Sequence, residues 1–151
     1  MSNNAASALQ MLDWRIADFK AKNAVIAPSA EIPHVWTIKA HIDHLDPEEN
    51  RLHAVVSVRF AFKAEQDKRT MQFSGTATSY FVLDAEKANV QDPVTFFDQL
   101  LHASAMTNMF GNLRLFLLQI GALFQTGSKQ LILPFINLNE FEFDKEYSYT
   151  V

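Results

Sequence analysis

No cysteine occurs anywhere in the chain, which removes disulfide frameworks, thiol nucleophiles and thiolate metal sites together. Glycine is nearly as scarce, with 4 residues in 151, so phosphate cradles that bring backbone close to a ligand have little material here. No nucleophile elbow and no helical His-Glu-x-x-His motif occurs. The formal charge is −4 and no dense lysine or arginine stripe stands out, so nucleic-acid binding is not expected. The longest nearly apolar run, 113–124, contains Arg114 and Gln119 and falls short of the roughly 20 residues that a membrane span needs. Met1-Ser2-Asn3-Asn4 lacks the basic and apolar segments of a signal peptide. These absences predict one soluble cytoplasmic domain, residues 1–151, without membrane insertion, cofactor or metal site.

What is present is alternation. Trp36, Ile38, Ala40 and Ile42 alternate with Thr37, Lys39, His41 and Asp43, the pattern of a strand with one face buried. Leu52, Ala54, Val56, Val58, Phe60 and Phe62 repeat it, and Met71, Phe73, Ala77, Phe81 and Leu83 form a third stripe. Asp46-Pro47-Glu48-Glu49-Asn50 and Glu65-Gln66-Asp67-Lys68 supply the turns. Nearer the start, Leu9, Leu12, Ile16 and Phe19 fit helical spacing, whereas Trp14, Ile16, Phe19 and Ala21 fit a strand carrying one bulge. The strand, over 14–21, is favoured because three strands cover a long apolar helix poorly.

The segment 84–91 is a polar crossover, and Asp92-Pro93 marks a helix start, the carboxylate capping free amides and proline fitting the first helical position. Between Pro93 and Phe124 only Asp98 and Arg114 are fully charged. Leu113, Leu115, Phe116, Leu117, Leu118, Ile120 and Leu123 place apolar groups on nearly every side, and such a helix must be covered on more than one side. A single sheet covers one of them, so the remainder calls for a second subunit or a nonpolar partner. Gly111 and Asn112 weaken the helix interior, predicting a kink or split at 109–112, and Gly127 is placed to end the helix. Pro134 lacks an amide donor, so 130–138 is expected as an edge or irregular strand. The predicted fold class is α+β: a four-stranded antiparallel sheet, a long, kinked apolar helical region, then a short carboxy-terminal edge strand.

The chemistry-bearing candidates are few. His41 and His44 point to opposite faces of a strand, so their spacing forms no chelate, while His53 is expected across the hairpin from His41. His102, on the apolar helix, is expected as a satisfied core histidine. Glu140, Glu142, Asp144 and Glu146 form an acidic run near the end, a solvated face or a docking surface for a basic partner. No catalytic residue is assigned. The distinctive material is hydrophobic: Phe96, Phe97, Leu100, Leu101, Met106, Met109 and Phe110, with methionine suited to repacking around varied nonpolar ligands.

This order resembles the SecB-like family of export chaperones. The resemblance is carried by Asn112-Leu113-Arg114, Gly127, Leu131-x-Leu133-Pro134-x-x-Asn137 leading to Phe141, and Ile16-x-x-Phe19-x-x-x-Asn23 near the start. It implies a non-enzymatic, ATP-independent cytoplasmic holdase, a dimer of dimers, that binds nonpolar segments of unfolded or newly made chains, possible partners being an export motor or an antitoxin. It implies a client groove at Phe81, Phe96, Phe97, Leu100, Met106, Met109 and Phe110, with Asn112, Arg114 and Asn137 as structural residues. The chain departs from the family at Gly111-Asn112-Leu113, where a Pro-Tyr pair usually precedes the arginine, and at the crossover Asp84-Ala85-Glu86-Lys87, usually glycine-rich. The sequence stops at Val151, where typical members continue into a helix and a motor-engaging tail, so docking through that tail is not expected. The competing class is a small-molecule enzyme or ligand-binding α+β module, such as a hotdog-like thioesterase or lipid binder. In the hotdog architecture the central helix follows an early strand, whereas here it follows three or four.

Overall fold

The computed structural model describes residues 8–22, 33–123 and 132–150. The amino-terminal segment is a strand, β1 (Leu9–Lys22), longer than 14–21. It carries two register irregularities, between Leu12 and Arg15 and between Ala17 and Lys20, rather than the single bulge expected. Each holds an aspartate in the left-handed region, Asp13 at φ 62° and Asp18 at φ 52°, a conformation that aspartate tolerates better than most residues. The two bulges reset the alternation, which is why neither periodicity fitted the sequence cleanly.

The three alternating stripes become β2 (His34–Glu48), β3 (Arg51–Gln66) and β4 (Arg69–Asp84). Asp67 and Lys68 both take positive φ, 49° and 67°, as a two-residue hairpin turn matched to strand twist requires. A short helix, α1 (Ala85–Ala88), fills the crossover, with the Asp84 carboxylate accepting from the amides of Glu86 and Lys87. The main helix starts at the predicted place: Asp92 caps α2 (Pro93–Leu100) by accepting from the Thr95 amide and hydroxyl, with proline opening the first turn.

The helical irregularity lies earlier than 109–112. A wider π turn occupies Leu101–Ala105, and α3 (Met106–Leu123) runs through Gly111 without a break. More residues per turn slow the rotation of the helix face, which keeps Phe97, Leu101 and Ala105, stepping by four, on the buried side. Gly127, the expected helix stop, lies outside the described residues.

The carboxy-terminal strand also differs in place. Of the segment 130–138, the described residues 132–138 are irregular, with Leu133 and Ile136 turned into the core. The strand is β5 (Tyr147–Thr150), paired antiparallel with β2 from Ile38↔Tyr147 to Val35↔Thr150. The result is a five-stranded antiparallel sheet in the order β1-β4-β3-β2-β5.

One sheet face packs under the helices. Trp36, Ile38, Phe60, Phe73, Phe81 and Leu83 are fully buried there. Gly75 leaves room for Phe60, since a Cβ at Gly75 would stand 3.0 Å from the Phe60 ring. Phe116 of α3 meets Phe19 edge-on at 5.5 Å and Phe60 at 6.5 Å, while Phe97 of α2 meets His44 at 6.3 Å. The helical layer therefore runs along the sheet from the His44 end to the Phe60 end.

Candidate functional site

The carboxy-terminal segment fixes the helical layer from the side. Arg114 donates to the Pro134 carbonyl at 3.4 Å. His102 Nε2 lies 3.1 Å from the Leu138 carbonyl, a polar satisfaction of the kind expected for a histidine on an apolar helix. Phe141 packs edge-on against Phe110 at 5.7 Å and stacks on Tyr147 at 4.9 Å. The Tyr147 hydroxyl donates to the Glu140 carbonyl and accepts from the Glu142 amide. Asn137 accepts from the Asn139 amide, and the Asn112 side chain makes no hydrogen bond among the described residues.

With those positions filled, the residues expected to line a client groove divide. Phe81, Phe97, Met106, Met109 and Phe110 are buried, and only Phe96 and Leu100 reach the surface, half-buried. The five are the helix-on-sheet core of this chain and form no open groove in it. For Phe97, Met106, Met109 and Phe110, helical spacing alone does not separate the inner from the outer face because the segment is apolar all round.

The exposed apolar surface lies elsewhere on the same layer. Leu115, Leu118 and Leu123 occupy i, i+3 and i+8 of α3, one helix face, and Leu115 and Leu123 are 62% and 75% exposed. Beside α3, the segment held by Arg114 turns Ile132 and Phe135 outward, 58% and 94% exposed. Val94 at the start of α2 is exposed as well, near half-buried Phe96. Isolated exposed hydrophobics are ordinary; here several large ones share the helical layer and the segment beside it. The signal was legible in the sequence as surplus hydrophobicity; its location was not.

The polar candidates do not converge. His41 Nδ1 meets Asp144 at 2.6 Å, and His44 Nε2 lies 3.4 Å from Asp98. His53 is opposite Leu45, and His41 is opposite Ser57, so the expected His41–His53 pair does not form: the hairpin turns at Glu49-Asn50, with Glu48 opposite Arg51, which places the partner of His41 four residues farther along β3. His53 instead hydrogen-bonds through Nδ1 to the Tyr80 hydroxyl. Among the described residues no three His, Asp or Glu side chains gather as a metal site. Glu140, Glu142, Asp144 and Glu146 are exposed, with Asp144 engaged by His41 and Glu142 3.8 Å from Lys145.

Two carboxyl and phenol groups carry shifts with clear causes. The hydroxyl of Thr95, then its amide, holds the Asp92 carboxyl below the usual carboxylate range. Burial, then the neighbouring Tyr147, pushes the Tyr149 phenol up.

No family model and no curated protein matches the sequence. Among solved structures, the chain is similar to the Mycobacterium tuberculosis Rv1957 SecB-like chaperone in complex with a ChAD peptide from the Rv1956 HigA1 antitoxin, with a TM-score of 0.52 over 87% of this chain and 93% of that one. The fold is SecB-like. The two sequences are 10% identical, so the likeness is one of architecture. In this SecB-like fold the nonpolar surplus expected from the sequence is displayed on the helical layer, on the side away from the sheet. No helix among the described residues is long and apolar enough to cross a membrane.

Proposed function

We propose that the protein is a non-enzymatic, ATP-independent cytoplasmic holdase that binds nonpolar segments of unfolded or newly made polypeptides and assembles as a homo-oligomer through its helical layer. The observation that carries this reading is the exposed apolar face of Leu115, Leu118 and Leu123 with Ile132 and Phe135 beside it. Water contact with such a face is unfavourable, and covering it stabilises by about 25 cal/mol per Å² of apolar area. The α3 face serves as the subunit seam, where a second copy can match it residue for residue. Clients bind at Val94, Phe96 and Leu100, at the free end of the layer. Several weak nonpolar contacts along one client raise its residence through linked occupancy, and folded chains, which hide such segments, are passed over.

The SecB-like fold supports this reading, and the bound antitoxin peptide in the mycobacterial structure supports an antitoxin as one class of client. Export remains a second use of the same chemistry, with an export motor as partner. The test is suppression of aggregation of a chemically unfolded model polypeptide at near-stoichiometric ratio without nucleotide, with native mass recorded on the same sample. Suppression by an oligomer that ignores the folded client supports the proposal; inactivity of a well-folded sample overturns it.

A further inference from the structure

The sheet face turned away from the helices carries a charge pattern that no single stretch of sequence shows. Register across β2, β3, β4 and β1 sorts its outward residues into rungs. Lys63 and Lys22 flank Gln72 in one rung, and Lys20 follows Ser74 in the next. In the third, Lys39 stands directly opposite Arg59. Arg15 and His41 close the fourth. Those rungs hold six of the 13 lysines and arginines of a chain whose net charge is −4, and no carboxylate occupies a rung position.

Carboxylates meet these cations from the margins, and Asp43 stands on the same face one rung beyond His41. Glu65 holds Lys63 at 3.0 Å, Asp13 holds Arg15 at 2.5 Å, and Asp144 holds His41. Lys20, Lys22, Lys39 and Arg59 have no ion pair among the described residues. Like charges directly opposite on neighbouring strands destabilise a sheet, so the Lys39–Arg59 pairing costs stability in the free protein. The surface between the cations is shallow: a depression of about 570 Å³ around Lys20, Lys22 and Lys63 has a mainly apolar floor that includes Val35 and Ala61, with the hydroxyls of Thr37 and Ser74, and a second of about 340 Å³ lies around Lys39 and Arg59.

We infer that this cationic face docks an acidic, extended polypeptide segment of a partner protein, on the side of the sheet opposite the nonpolar surface. Lys20 and Lys22 stand two residues apart on β1, roughly 7 Å, which is the spacing between alternate carboxylates of an extended peptide. Hydroxyls of Thr37, Ser74 and Thr76 are placed to meet its polar backbone. A nucleic acid fits less well: no Phe, Tyr or Trp occupies these rungs to stack a base.

The inference does not depend on holdase activity, and its test does not measure it. A fluorescein-labelled peptide of alternating glutamate and serine is titrated with the intact protein at low salt, with anisotropy as readout. Binding that falls with added salt, is absent for the glutamine-serine peptide, and weakens about tenfold in a Lys39→Glu, Arg59→Glu double variant is the expected result. The milder Lys39→Gln variant separates a binding role from a structural one: it is expected to melt no lower than the parent while losing peptide affinity. No binding at low salt, equal binding by the double variant, or tighter binding of a single-stranded RNA of equal charge overturns the inference.

Discussion

Phe141 meets Phe110 edge-on, with ring centroids 5.7 Å apart and planes at 85°. One ring belongs to α3 and the other to the segment that leads into the edge strand, so this contact joins the helical layer to the carboxy-terminal part of the sheet. Phe141 also stacks on Tyr147 of β5 and is itself buried. Replacement by alanine is expected to cost about 3–5 kcal/mol, the range for removing a buried phenylalanine, measured by urea unfolding. A loss below about 1 kcal/mol, the scale of a surface change, would show that the segment is not anchored there.

Phe135 is the converse case. With its ring in water, Phe135→Ser is expected to leave monomer stability within about 0.5 kcal/mol while lowering oligomer mass or client holding. Native mass spectrometry and the aggregation assay on the same preparation check both. Unchanged mass together with unchanged holding removes Phe135 from the interaction surface.

Groove variants have to be chosen by exposure. Phe97→Asp or Phe110→Asp buries a charge in the core, so either is expected to unfold the protein and to say nothing about clients. Phe96→Asp with Leu100→Asp, at half-buried positions of α2, is expected to keep the fold and weaken client binding several-fold, read by circular dichroism and by labelled-client titration. Full client binding by a folded double variant excludes α2 as the contact.

Two groups make opposite contributions to stability as pH changes. The Asp92 carboxyl is lowered by its bonds to Thr95, so its stabilisation is present above the ordinary carboxylate range and is lost as pH falls through the lowered value. The Tyr149 phenol is raised by burial, so its stabilisation is complete below pH about 10 and is lost as pH rises beyond it, because the unfolded chain deprotonates first. Tyr149→Phe is expected to flatten the alkaline limb of melting temperature against pH, and Asp92→Asn the acid limb. Unaltered limbs in the two variants would assign the pH dependence to other groups.

The sequence by itself determined the strands β2, β3 and β4, because a period of two with one face wet admits no other regular structure. It determined the start of α2 as well, since Asp92-Pro93 satisfies free amides and uses proline where its missing donor costs nothing. Phe81 was legible as buried on its strand, although its proposed place in an exposed groove was not compatible with that burial. For the helical region the pattern ran out: Phe97, Met106 and Met109 turned inward and Leu115 and Leu123 outward, and a segment apolar on all sides contains no rule for telling them apart. The π turn and the sheet beneath it made that choice. Pro134 predicts an edge or irregular strand over 130–138; the described residues 132–138 are irregular, with Leu133 and Ile136 packed in the core, and the ladder forms at Tyr147–Thr150. Lys20, Lys22, Lys39, Arg59 and Lys63 are scattered over 44 positions of a net-acidic sequence. They become one surface only when four strands align in register, since charge acts through space and the sequence records only distance along the chain.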